Sequence, residues 1–145
     1  MDYTVFAKDL LRRKMTLENA YTAVREEIIA LENEKTSCKS ISDSVPITGS
    51  GTNKYEDKLV SIISKLEDAT FRKNVILREL RLINRGYNSL NDYEKSILDG
   101  FFVHDEKAAA DSLMSKFFKE RSTIYDDRSK ALDKFTRSVY GVVKI

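Results

Sequence analysis

LMSKFFKERSTIYDDRSKAL, residues 113–132, is the stretch around which the chain is organised. Its apolar side chains fall in two short helical stripes: Leu113, Met114, Phe117 and Phe118, then Ile124, Ala131 and Leu132. Between them lies the polar break Lys119, Glu120, Arg121, Ser122 and Thr123, whose small polar residues can open a new helix. Two stripes so spaced predict a helix-turn-helix, in which the first helix supports the second and the exposed face of the second can lie in a DNA major groove.

Working outward, the same periodicity predicts a trihelical carboxyl-terminal unit. Asn91 can cap a helix with Glu94 reaching back in a capping box, and the apolar face is Leu90, Tyr93, Ile97, Leu98, Phe101 and Phe102. Asp105 is the expected cap of the next helix, with Ala109, Ala110, Leu113, Met114 and Phe117 inward. The last helix is expected from about Arg121 to Tyr140, ended by Gly141. The aromatic residues Phe101, Phe102, Phe117 and Phe118 read as core packing.

Upstream, residues 3–35 carry a heptad seam of Ala7, Leu10, Leu17, Tyr21, Val24, Ile28 and Leu31, interrupted by Lys14. A second seam follows over residues 55–87: Tyr55, Leu59, Ile62, Leu66, Ala69, Ile76, Leu80, Ile83 and Tyr87, interrupted by Lys73. Gly86 marks the expected end of this helix. Helices this long need partners along their length, and the two seams match, which predicts an antiparallel coiled-coil-like hairpin with Lys14 and Lys73 in one layer. A polar seam residue can also set oligomeric state, and the off-seam Ile63, Val75, Leu77 and Leu82 would suit a second contact face, so a homo-oligomer is expected with a dimer favoured. Between the helices TSCKSISDSVPITGSGTN, residues 36–53, reads as a flexible linker holding Cys38. The expected organisation is therefore all-α: a helical hairpin over residues 1–87 with its linker at 36–53, then a helix-turn-helix domain over 88–145.

Composition narrows the function classes. Five glycines and one proline leave little punctuation, and 41% hydrophobic with 33% charged residues suits a helical globular chain. The net charge of +2 identifies no partner by itself. A single cysteine allows neither an internal disulfide nor a thiolate metal site, and no apolar run reaches the roughly 18 residues of a membrane span. A cytoplasmic setting and no membrane partner are expected. The lone His104 has no paired nucleophile or metal-ligand set, and no glycine-rich phosphate loop occurs, so no enzyme activity, catalytic residue, metal or cofactor is expected.

The run from LNDYEKSIL through RSTIYDDRSKALDKF to YG resembles the helix-turn-helix of sigma-factor region 4, and within that class is most similar to phage-encoded late transcriptional regulators of the ArpU and RinA type. The resemblance implies sequence-specific binding of double-stranded DNA in a bacterial host cell, with RNA polymerase as a further partner. It places Arg121, Ser122, Tyr125 and Asp126 at base edges with Ser129 one turn on, makes Lys119, Arg128 and Lys130 phosphate contacts, and leaves Ile124, Ala131 and Leu132 to packing. The family's turn commonly has a glycine where this chain has Phe118. From Lys119 to Arg137 six basic residues face four acidic ones, so a single head is expected to bind weakly and two heads better. Two other functions fit the same pattern: an adaptor that binds polymerase or another helical protein without touching DNA, and a DNA-recognition subunit of phage packaging.

Overall fold

The computed structural model describes the backbone of residues 1–44 and 50–145, and the side chains of residues 1–40 and 54–145. The chain is all-α. Its order is α1 (Thr4–Arg12), α2 (Lys14–Ser44), α3 (Ser50–Asn88), α4 (Asp92–Leu98), a π-helical turn (Asp99–Val103), α5 (Ala109–Phe117) and α6 (Arg121–Tyr140). Among the described residues the extended structure is one isolated bridge, Asp2 with Lys144. No described helix is long and apolar enough to cross a membrane.

Two compact units divide the chain, residues 19–77 and residues 1–18 with 78–145. The boundary expected at 87/88 is thus displaced, because the first helix and the last three turns of α3 belong with the carboxyl-terminal helices.

The unit of residues 19–77 is the expected antiparallel hairpin. Val24, Leu31, Cys38, Ile62, Leu66 and Ala69 form its buried seam, flanked by Ile28, Leu59 and Ile76. Arg72 bridges the helices to Glu27 at 2.8 Å, and the Cys38 thiol approaches the Tyr55 carbonyl at 3.5 Å, which fixes the antiparallel register. Cys38 therefore lies within α2 as a buried seam residue and not in a flexible linker. It continues the heptad Val24, Leu31, Cys38, and helix covers residues 36–44 and 50–53 of the stretch read as a linker. The rest of that stretch, residues 45–49, lies outside the described residues. Ile63 and Val75 are exposed, with Val60 and Phe71 beside them in sequence also exposed.

In the other unit the helix expected over residues 3–35 is interrupted at Arg13, which separates α1 from α2. Leu10 and Leu11 are adjacent and both buried, an apolar face wider than a two-helix seam supplies, and α1 packs on α6 and the π-helical turn. Arg13 bridges to Glu79 at 2.7 Å and to Asp9 at 3.1 Å. Lys14 sits over the Tyr87 ring at 5.1 Å and pairs with Glu18 at 3.3 Å. Lys14 belongs to this unit and Lys73 to the other.

Gly86 does not end α3. It is buried inside that helix, where a Cβ would overlap the Phe135 ring of α6. The two helices approach closely only because residue 86 has no side chain. Phe135 is fully enclosed, with the Tyr87 ring edge-on at 6.0 Å, and Thr136 is buried with its hydroxyl donating to the Leu132 carbonyl at 2.6 Å.

Candidate nucleic-acid interface

The candidate interface is built on α4, α5 and α6. The expected capping box starts α4: the Asn91 side chain accepts from the Glu94 amide at 2.8 Å, and Glu94 accepts from the Asn91 amide at 3.0 Å. Lys134 of α6 reaches the same Glu94 carboxylate at 3.2 Å, which ties the two helices. Ile97, Leu113 and Ile124, one from each helix, are the buried centre, ringed by Tyr93, Phe101, Met114 and Phe117. This is the inner face expected of the three helices. Asp105, however, caps nothing: α5 begins at Ala109 after an N-cap Ala108 that has no side-chain bond, and Asp105 has φ +47°.

The turn between α5 and α6 is short. α5 ends on Phe118 in the left-handed conformation (φ 53°, ψ 47°), Glu120 is extended, and α6 begins at Arg121. A left-handed residue reverses the chain within a few residues and is normally glycine, since a Cβ is disfavoured there. Phe118 is not a core residue, as its sequence neighbours suggested, but 93% exposed.

α6 buries Ile124, Ala131, Leu132, Phe135, Thr136 and Val139 and turns its opposite face outward. Ser122, Asp126, Ser129 and Asp133 fall at intervals of four, three and four on that exposed face, so hydroxyls alternate with carboxylates along its middle. Ser122 and Asp126 make no side-chain bond among the described residues. Ser129 donates back to the Tyr125 carbonyl at 3.2 Å. Arg121, in the first turn, is paired with Asp111 of α5, both more than half exposed. Such a pair contributes little and exchanges readily.

The phosphate candidates differ in their surroundings. Lys119 pairs with Asp127 at 3.3 Å and sits over the Tyr93 ring at 4.1 Å. Lys130 shares with it a surface cavity of about 200 Å³ also lined by Asn91, Tyr93, Glu94 and Asp127. Arg128 has no carboxylate partner among the described residues. Its guanidinium is held instead over two rings, Tyr125 at 4.7 Å and Phe101 at 4.8 Å, which are themselves 5.6 Å apart. Phe101 comes from the π-helical turn, a departure from α-helix of the kind that often re-aims a side chain near a working site. Tyr125 is therefore engaged with Arg128 as well as half-exposed, a role that sequence spacing did not single out.

No protein-family model, curated protein or solved structure matches the chain.

Asp127 is the electrostatic hinge of the turn. The Tyr93 hydroxyl donates to it at 2.5 Å, and that bond, followed by Lys119 and the nearby charge of Lys130, holds its carboxyl below the usual carboxylate range. The Tyr93 phenol is correspondingly pushed up, by burial first and by Asp127 second. A carboxyl with a lowered folded-state pKa stabilises the fold above its unfolded-state pKa, and that contribution is lost as pH falls through the folded-state value. Asp127→Asn is accordingly expected to lower stability at pH 7 by about 1 kcal/mol. The difference from wild type should shrink on acidification, as followed by urea unfolding at a series of pH values; a difference that does not change with pH would show that the Asp127 charge contributes nothing.

Proposed function

We propose that the chain is a sequence-specific DNA-binding transcriptional regulator whose α6 enters the major groove. The observation that carries this reading is the presentation of α6. A tight left-handed corner joins it to α5, one face is locked into the core, and the other face is exposed to solvent from its first turn. That is the arrangement a groove-reading helix needs. Arg121 and Ser122, in the first turn, are the base-edge residues, joined by Asp126, Ser129 and Tyr125 further along. Arginine suits a guanine edge and a carboxylate suits the cytosine amino group, so an α6 face with Asp126 on it is selective more than it is adhesive. Arg128 supplies the phosphate contact, its guanidinium without a carboxylate partner among the described residues and held over two rings, with Lys119 and Lys130 at the adjoining cavity.

The alternation of hydroxyl and carboxylate along the α6 face makes one head a weak binder, so a second copy, supplied through the long helices, belongs to the proposal. Late-gene activation in a phage or prophage is the setting that the resemblance to ArpU- and RinA-type regulators suggests. Selection of duplexes from a random pool tests the reading. On the recovered duplex, Arg121→Ala should lose roughly 10-fold in affinity with unchanged helicity by circular dichroism. If the pool converges on no sequence, an adaptor function takes its place.

A further inference from the structure

Phe118 is the most exposed large apolar side chain of the described residues and also one of two non-glycine residues at positive φ. These are separate anomalies at one position. The left-handed backbone is what the α5–α6 corner requires, and glycine would adopt it without strain. A phenylalanine there strains the backbone; the strain is held by the α5 C-cap, where the Phe118 and Lys119 amides donate to the Met114 carbonyl, while the ring makes no aromatic or core contact. The cap accounts for the backbone but not for a large apolar ring left in solvent, and strained positions of this kind cluster where a ligand is contacted.

We propose that Phe118 is a DNA-contact residue, its ring laid against sugar and base-step edges at the rim of the groove that α6 enters. The inference rests on the DNA-binding reading and adds to it an apolar contact that the base-edge and phosphate residues do not supply. Phe118 stands two residues before the N-cap of α6 and three before its first-turn Arg121. Its neighbours include Lys116, Lys119 and Arg121 against Glu120 within residues 116–121; Lys119 pairs with Asp127, Lys116 has no carboxylate partner among the described residues, and Arg121 pairs only with the exposed Asp111, a pair that a phosphate can displace. An aromatic side chain set among basic ones is suited to duplex DNA, where apolar wedges bear on base steps while cations meet phosphates.

Two substitutions separate the ring from the backbone. Phe118→Gly removes both ring and strain, and Phe118→Ala removes the ring while keeping a Cβ at positive φ. For a duplex recovered by selection, both variants are expected to bind about 10-fold more weakly by fluorescence anisotropy, with an unchanged salt dependence because no charge is lost. Phe118→Gly should melt about 2 °C higher than wild type, and Phe118→Ala no higher. Affinity then follows the ring and stability follows the backbone. Full affinity in both variants, with the wild type binding its duplex, overturns this inference alone and leaves the ring to a protein partner. Failure of the wild type to hold any duplex overturns the DNA-binding reading as well.

Discussion

Phe135→Ala is expected to destabilise the chain by about 3–5 kcal/mol, the range for deleting a fully enclosed aromatic ring. Because Phe135 fills the space over Gly86, the complementary change has a defined sign too. Gly86→Ala alone pushes a methyl group into the ring and should cost about 1–3 kcal/mol, more than the gain in helix propensity returns. In the Phe135→Ala background the obstructing ring is gone, and the same Gly86→Ala change should be close to neutral or stabilising. Denaturant unfolding of the four proteins closes the cycle. Strictly additive effects would mean that α3 and α6 do not meet through this pair.

Arg128→Ala should have the largest effect on DNA affinity among the α6 substitutions. An unpaired guanidinium held over Phe101 and Tyr125 has lost part of its freedom before binding, so less ordering cost remains when a phosphate arrives. Its removal is expected to weaken binding roughly 30-fold across sequences and to reduce the slope of log affinity against log salt by about one. Arg128→Lys keeps the charge but loses the delocalised guanidinium over the two rings and should recover only part of the loss. Full recovery by lysine would show that the two rings contribute nothing beyond packing. Lys119→Ala should matter less, since Asp127 already neutralises Lys119 in the free protein.

What could be read from sequence was what depends on neighbours in the chain. The Asn91/Glu94 capping box, the inner face of α5 and the span of α6 to Gly141 are all set within one or two helical turns, and each stands as expected. The antiparallel hairpin followed from two matching heptads. What sequence concealed depends on approach between distant segments. Gly86 looked like a stop signal, yet its lack of a side chain serves a contact with Phe135, 49 residues later in the numbering. The interruption at Arg13 follows from Leu10 and Leu11 both being buried, and a seam drawn through Leu10 alone passes over it.

The same holds for the candidate interface. The exposed face of α6 was legible from its polar residues, but the support of Arg128 was not. It depends on the π-helical turn Asp99–Val103, for which the sequence carries no mark, bringing Phe101 against Tyr125. Cys38 was hidden by composition: the serines and threonines around it suggested a linker, although its seven-residue spacing from Leu31 continues the seam. Phe118 was misplaced for a simpler reason. Next to Phe117 it completes an apolar stripe on paper, and only the left-handed turn carries it out into solvent.

The central claim is that α6 reads DNA, and the most direct measurement is the affinity of the intact chain for a selected duplex and for a scrambled duplex of the same composition, over a range of salt concentrations. The predicted result is a preference of roughly 10³-fold or more for the selected duplex, with affinity for both falling as salt rises. Equal affinity for the two duplexes, or no binding to either at low salt, would contradict it.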